Sequence, residues 1–387
     1  MSDFDPTALI HHPYQPPAGF VAPQVGVHKA STVIFPDTRA LRSRDWRYKD
    51  GYTYGLHGTP TTFTLEERIA TLEGGTECVL VPSGLAAIAN VGLALLSAGD
   101  EVLLPDNVYG PSRELARTDL ARYGITHRLY DPLDAASLAA LITPKTRLVW
   151  LEAAGSVSME FPDLQGLVAV CRQHGVLTAL DNTWGAGIAF RPFDLGIDIV
   201  MHALTKFPSG GGDVLMGSIT TRNVELHERI KSTHMHLGFG VAGNDAELLL
   251  RSLPSLALRY HAQDAVGREL AAWLATQPQI SRVLHPAFES CPGHAYWKST
   301  CSAAAGLFSV MVDARYGSAQ VDSFVDALKL FKLGYSWAGP VSLVVPYDLK
   351  AMRGDKAYPG TLVRFSIGLE PAAALKADLE QALRVLA

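Results

Sequence analysis

Asp181 and Lys206 are the two residues of this 387-residue chain whose types and settings could do chemistry together. Asp181 closes an apolar run over 176–180 and is followed by Asn182 and Thr183. Lys206 follows a second apolar run, 197–204, and Thr205, and it precedes Gly210, Gly211 and Gly212. An uncharged run that stops on a carboxylate is the pattern of a buried parallel strand reaching the carboxyl edge of its sheet. Ligands of open α/β sheets bind along that edge. Two neighbouring strands could therefore aim a carboxylate and an amine at one cleft. A lysine amine in a low-dielectric site has a lowered pKa and can form a Schiff base with an aldehyde. A carboxylate beneath a pyridine nitrogen keeps that nitrogen protonated. The plainer alternative makes Lys206 a surface lysine and Asp181 a helix cap; the two strand contexts, the intervening Asn-Thr and the glycines weigh against it.

An amine anchor and a carboxylate under a ring nitrogen are together what pyridoxal phosphate (PLP) requires, and PLP is the expected cofactor. Other residues extend the site. Ser83-Gly84-Leu85 lies where a strand turns into a helix, and free N–H groups at a helix N-terminus bind phosphate. An ordinary β–α turn would look the same. Tyr109 follows the next strand, so it belongs to the same sheet edge, where its ring could stack on a pyridine and its hydroxyl share in proton transfer. Arg364 sits inside the apolar run 361–367, where a lone guanidinium is costly unless an anion pairs with it. That anion is either a substrate carboxylate, which suits the fork of donors, or an internal structural acid. Ser336 and Trp337 end another predicted strand.

Alternating strands and helices must position these residues. Strands are expected over 78–82, 101–104, 127–130, 147–151, 176–180, 197–204 and 214–221, with helices over 62–72, 85–96, 112–122, 135–141 and 163–174. Thr64 is the expected cap of the first helix, and Gly175 the stop of the last. This is an α/β fold with a mostly parallel sheet covered on both faces. Beyond 250 the texture changes: helices over 259–276, 319–328 and 372–386 and strands over 281–285, 306–312, 328–335 and 362–367 form a smaller α+β unit. The expected division is an extended N-terminal arm over 1–45, a cofactor-binding α/β domain over 46–250 and a C-terminal domain over 251–387, with a hinge near 245–258.

Hydrophobic residues make up 48% of the chain and charged ones 18%, enough core material for two such units. The net charge of −5 is a poor footprint for nucleic acid or anionic membrane. The run 78–96 is long and apolar enough to imitate a membrane span, but Pro82-Ser83-Gly84 splits it into strand, turn and helix. Cys78, Cys171, Cys291 and Cys301 lack C-x-x-C spacing, and most sit in apolar runs. They predict reduced thiols in the cytoplasm and no metal site. The acidic, Pro-rich N-terminus is not the pattern of a signal peptide. No G-x-G-x-x-G follows a strand, which argues against a dinucleotide-binding dehydrogenase.

Taken in order, Tyr54-Gly55-Leu56-His57-Gly58-Thr59-Pro60-Thr61, Ser83-Gly84, Asn107-Val108-Tyr109, Leu151-Glu152, Asp181-Asn182-Thr183-Trp184, Thr205-Lys206, Ser336-Trp337 and 364–370 give the chain a strong resemblance to a known family. It resembles the Cys/Met-metabolism PLP-dependent enzymes, of aspartate-aminotransferase-like fold type I, and within them most of all the cystathionine β-lyases. The resemblance runs from about residue 52 to the C-terminus. It implies that Lys206 carries PLP and acts as base, that Asp181 pairs with the ring nitrogen and that Tyr109 stacks on the ring. Ser83, Gly84, Leu85 and Thr205 would hold the phosphate, and Tyr54 would reach the phosphate of a neighbouring subunit in a homotetramer built as a dimer of dimers. Arg364, helped by Ser336 and Trp337, would bind the substrate carboxylate. The implied reaction is β-elimination from L-cystathionine and other cysteine S-conjugates, giving thiol, pyruvate and ammonia in methionine biosynthesis. A γ-type relative and a PLP-binding regulator without turnover are the alternatives. The chain departs from the family's pattern at Leu56, where an Arg is usual, at Ala203, and at Val341, where a Glu is usual.

Overall fold

Seven strands build the sheet that carries Asp181 and Lys206. In the computed structural model, which describes residues 7–11 and 18–386, these are β1 (Glu77–Val81), β2 (Glu101–Pro105), β3 (Thr126–Tyr130), β4 (Thr146–Glu152), β5 (Leu177–Asp181), β6 (Ile199–His202) and β7 (Gly217–Thr221). Their order is β1-β7-β6-β5-β4-β2-β3. β7 runs antiparallel to both of its neighbours, and the other pairs are parallel. The mostly parallel sheet expected from the alternation is present. Burial explains the composition: β2 and β6 are buried at every position, as a strand covered on both faces must be.

Five more strands form a second sheet: β8 (Ile280–Leu284), β9 (Leu307–Val312), β10 (Lys332–Leu333), β11 (Leu343–Tyr347) and β12 (Thr361–Ser366), in the order β10-β11-β12-β9-β8. Between the sheets, Gly243–Ser252, Leu253–Ser255 and Leu256–Leu274 run on as three consecutive helical segments. A hydrophobic core continues from Leu180 and Leu204 through Leu250, Leu253 and Tyr260 to Leu307 and Leu362.

Several local expectations need correction. The helix expected over 62–72 is Pro60–Glu73, and its cap is Thr59, not Thr64. Thr59 accepts from the Thr62 N–H, while the Thr64 hydroxyl donates to the Pro60 carbonyl inside the helix. Pro60 at the first helical position set the start two residues earlier than the expected span. The strand expected over 328–335 shrinks to β10, and β11 was not anticipated; its Pro346 argues locally against a strand. Four helices, Val224–Leu237, Gly243–Ser252, His294–Thr300 and Leu349–Arg353, also escaped the sequence reading. The run 78–96 resolves into β1 and the helix Gly84–Leu95, and no helix among the described residues is long and apolar enough to cross a membrane. In the arm, the described residues include short helices at Thr7–Ile10 and Thr38–Arg42. The rest of the first 45 residues lies partly outside the described ones.

Candidate active site

The carboxyl ends of β1, β2, β4, β5 and β6 converge on a cavity of about 470 Å³. Each strand delivers one piece of its wall. β1 leads to Ser83, which caps the helix Gly84–Leu95 by accepting from the Ala86 N–H at 3.1 Å. β2 leads to Tyr109, β4 ends on Glu152, β5 ends on Asp181, and Lys206 lies four residues past β6. Glu152 and Asp181 stand opposite each other in register on adjacent strands.

The electrostatics follow from burial. Burial lowers the Lys206 amine to about 8, helped by the nearby Arg364 cation and opposed by Asp181. Its Nζ lies 2.6 Å from Ser336 Oγ and 5.6 Å from the centre of the Trp337 ring. Burial raises the Asp181 carboxyl, against hydrogen bonding from Thr183, whose N–H lies 3.0 Å from Oδ1. Glu152 is pushed up to about 8 by burial and by the neighbouring Asp181 charge, although Ser156 and the Tyr109 N–H, at 2.7 Å, donate to it. Burial and the same two carboxylates raise the Tyr109 phenol.

Arg364, on β12, completes the cavity from the second sheet. It is nine-tenths buried, yet no carboxylate among the described residues pairs with it. Its hydrogen bond is to the Ser336 carbonyl at 3.4 Å, and the Tyr347 ring lies 5.3 Å from its guanidinium carbon. The internal salt bridge left open by the sequence is thus not found among the described residues. Ser336 and Ala338 occupy the left-handed region, with φ of 87° and 65°. Ala338 N–H donates to Ser366 Oγ and Gln263 to the Gly339 carbonyl, which hold this strained turn against β12.

Ten of the eleven residues singled out in the sequence line this one cavity: Ser83, Gly84, Leu85, Tyr109, Asp181, Thr205, Lys206, Ser336, Trp337 and Arg364. Tyr54 does not line it; it is half exposed and forms a bridge with Thr32. The Thr205 hydroxyl is engaged by Met216, accepting from its N–H at 3.1 Å and donating to its carbonyl at 3.2 Å. Glu152 was named in the sequence as part of Leu151-Glu152 but given no role, although it bears the same mark as Asp181, an apolar run closing on a carboxylate. Tyr347 carried no such mark. Nor did the buried group behind Asp181, where Glu73 accepts from Asn182 Nδ2 at 2.7 Å and meets His202 Nδ1 at 2.6 Å.

The family of Cys/Met metabolism PLP-dependent enzymes matches residues 6–384. The chain belongs to that family. A Rhizobium johnstonii protein provisionally titled a cystathionine beta-lyase is 42% identical over 367 residues, 94% of this chain and 91% of its own. The cystathionine beta-lyase of Bordetella avium is 38% identical over 379 residues, 96% of this chain and 94% of its own. Among solved structures, cystathionine gamma-lyase from Lactobacillus plantarum, complexed with L-serine, matches with a TM-score of 0.89 at 27% identity, covering 98% of both chains. The fold is therefore that of the aspartate-aminotransferase-like PLP enzymes, as the family resemblance implied.

The residues present fit the family's cofactor. The Asp181 carboxylate stands at the partly buried end of β5, desolvation disfavours its charge, and a protonated ring nitrogen would give it a close cation. Lys206 has an amine lowered far enough to react with an aldehyde. Gly84 opens the helix Gly84–Leu95 where a Cβ would come within 2.7 Å of the Ala203 Cβ, so the chain runs bare past Ala203 and leaves the helix N–H groups open to a phosphate.

Proposed function

We propose that this PLP-dependent enzyme is a carbon–sulfur β-lyase that cleaves L-cystathionine and other cysteine S-conjugates. With water as co-reactant, the products are a thiol, pyruvate and ammonia; from L-cystathionine the thiol is homocysteine. The observation that carries the reading is Arg364, a nine-tenths buried guanidinium without a carboxylate partner among the described residues, in one cavity with Lys206. The names of the most similar relatives support the same reaction.

In this reading Lys206 would anchor the cofactor covalently, Asp181 would pair with its ring nitrogen, Tyr109 would cover its face, and Ser83, Gly84 and Leu85 would receive its phosphate, with the Thr205 hydroxyl turning to it from the Met216 carbonyl. PLP, when bound, supplies an aldehyde that holds the substrate amine and a ring that takes up the electrons left at Cα. Arg364 takes the substrate α-carboxylate as a two-pronged donor, with Ser336 and Trp337 beside it. Lys206, its amine then free, removes the Cα proton; burial, which lowers this amine, favours the neutral form that the step needs. Ser336 Oγ, 2.6 Å from that amine, aims it. The carbon–sulfur bond breaks at Cβ, and Lys206 or Tyr109 returns a proton to the departing sulfur. The 2-aminoacrylate released hydrolyses to pyruvate and ammonia.

The same reading makes the enzyme a cytoplasmic homotetramer, a dimer of dimers in which Tyr54 completes the site of a neighbour. In support, Tyr54 is half exposed and outside its own chain's cavity, and Val21 and Ile34 of the arm are 95% and 86% exposed. All four cysteines are free, as suits a reducing compartment. The division into an arm over 1–45, a cofactor-binding domain over 46–250 and a C-terminal domain over 251–387 belongs to this reading too.

The test is keto-acid identity. Purified enzyme with L-cystathionine should yield pyruvate and homocysteine. Formation of 2-oxobutyrate and cysteine would establish the γ-lyase reaction instead, the reading favoured by the Lactobacillus plantarum structure.

A further inference from the structure

Glu73, Asn182 and His202 form a polar group for which the proposed mechanism has no use. All three side chains are wholly buried. One carboxylate oxygen of Glu73 accepts from Asn182 Nδ2 at 2.7 Å, and the other lies 2.6 Å from His202 Nδ1. The second ring nitrogen of His202 has no hydrogen-bond partner among the described residues, so Glu73 alone sets the orientation of the ring.

The place is unfavourable for a carboxylate. Glu73 is the last residue of the helix Pro60–Glu73, where the helix dipole opposes negative charge. A buried carboxylate without a counter-ion is strongly destabilising. A neutral imidazole offers Glu73 a hydrogen bond and no charge, whereas an imidazolium offers both. An imidazolium is therefore the form of His202 that suits this setting.

The group stands behind the carboxylate assigned to the ring nitrogen. Asp181 is in register with Met201 of β6, and both line the cavity. Asn182 and His202 each follow by one residue, so their side chains leave by the opposite face of the sheet, where Glu73 meets them. His202 is still close enough for its charge to act on Asp181. Burial raises the Asp181 carboxyl most, hydrogen bonds from Thr183 lower it, and the charges of His202 and then Lys206 lower it further. In the proposed site the Lys206 amine is taken up by the cofactor, and the charge of His202 remains.

A carboxylate and a pyridine nitrogen in contact share one proton, and the less basic the carboxylate, the more the proton stays on the nitrogen. A cation on the far side of Asp181 makes it less basic.

We propose that Glu73 and His202 are positioning residues: a buried carboxylate–imidazolium pair behind Asp181 that keeps Asp181 ionised, so that the shared proton stays on the cofactor's ring nitrogen. The inference rests on the reading that sets the PLP ring nitrogen against Asp181.

The test is ¹⁵N NMR of holoenzyme loaded with PLP labelled at the ring nitrogen. The wild-type signal should stand at the protonated position. His202→Gln should move it towards the unprotonated position. Glu73→Gln should move it the same way, because His202 then loses the carboxylate that holds its proton. That direction separates the pair from bare electrostatics, since removing a negative charge alone would hold the proton on the nitrogen. Both variants should also bind PLP more weakly when the apoenzyme is titrated with it. Neutron diffraction from crystals of the wild-type holoenzyme needs no variant: deuterium is expected on both ring nitrogens of His202 and on neither oxygen of Glu73. A bare nitrogen on His202, or a protonated wild-type signal that Glu73→Gln leaves in place, would overturn the role of the pair while leaving Asp181 as partner of the ring. An unprotonated ring nitrogen in the wild type would overturn the Asp181 reading itself, and the inference with it.

Discussion

Arg364 is the residue on which sequence and structure agree most usefully. Its charge inside an apolar strand was visible in the sequence, and the fold brings no carboxylate to it among the described residues. Arg364→Lys keeps the charge and loses the fork, so KM for amino-acid substrates should rise roughly 10- to 100-fold, with kcat changing less. An unchanged KM in steady-state assays would show that the carboxylate binds elsewhere. Glu152 gives a pH prediction. Its carboxyl, ordinarily near 4.5, is held near 8, so the folded apoenzyme binds this proton more tightly than the unfolded chain does. Stability from this group is complete below about 4.5, falls as pH rises, and levels off above about 8. In thermal scans of the apoenzyme, Glu152→Gln should flatten the decline of Tm across that window and leave Tm little changed at its acid end. A parallel decline in both proteins would assign the slope to other groups. Glu152, Tyr347 and the Glu73–His202–Asn182 group show the limit of legibility at this scale. A residue type announces what it can do, but whether a carboxylate faces a second carboxylate depends on which strands become neighbours.

At the scale of elements, the sheet that builds the site was largely legible, because buried parallel strands are continuous apolar runs and their ends carry the polar residues. β2, β4 and β5 fall within a residue of where the runs place them, and β7 begins three residues late. What was missed had weak local patterns. Val224–Leu237 is a polar helix with three histidines, and β11 contains a proline that only its partners β10 and β12 override. The close passage of β7 under the Ser83-Gly84 turn was also invisible, since Gly217 is merely a glycine in the sequence. A Cβ there would sit 2.4 Å from the Ser83 carbonyl oxygen, so strand or turn must move. Gly217→Ala should therefore destabilise the protein by about 1–3 kcal/mol and weaken PLP retention measured by absorbance after dialysis. Full retention with an unchanged Tm would mean that the turn is not held against β7.

For the whole molecule, the arm and Tyr54 carry the claim that one chain does not make a complete site. Leu9 and Val25 of the arm are buried in this chain's own core, while Phe20, Val21 and Ile34 stand open, a division suited to an arm rooted at home and covered by a neighbour. Mixed oligomers test this. Lys206→Ala and Tyr54→Ala should each be strongly impaired, and co-expression of the two should restore a fraction of wild-type activity, because some sites then receive both intact residues from different chains. No recovery in purified hybrids would place Tyr54 in the site of its own chain or outside catalysis. Assembly left no local pattern in the sequence and was expected from the family resemblance alone.

The central claim is that carbon–sulfur cleavage occurs at Cβ of the cysteine half, in the cavity that holds Lys206 and Arg364. It is tested most directly with L-cystathionine labelled with ¹³C only in the cysteine half, turned over by the holoenzyme and resolved by mass spectrometry. The account predicts labelled pyruvate with unlabelled homocysteine, and neither product from Lys206→Ala. Labelled cysteine with unlabelled 2-oxobutyrate, or undiminished turnover by Lys206→Ala, would contradict it.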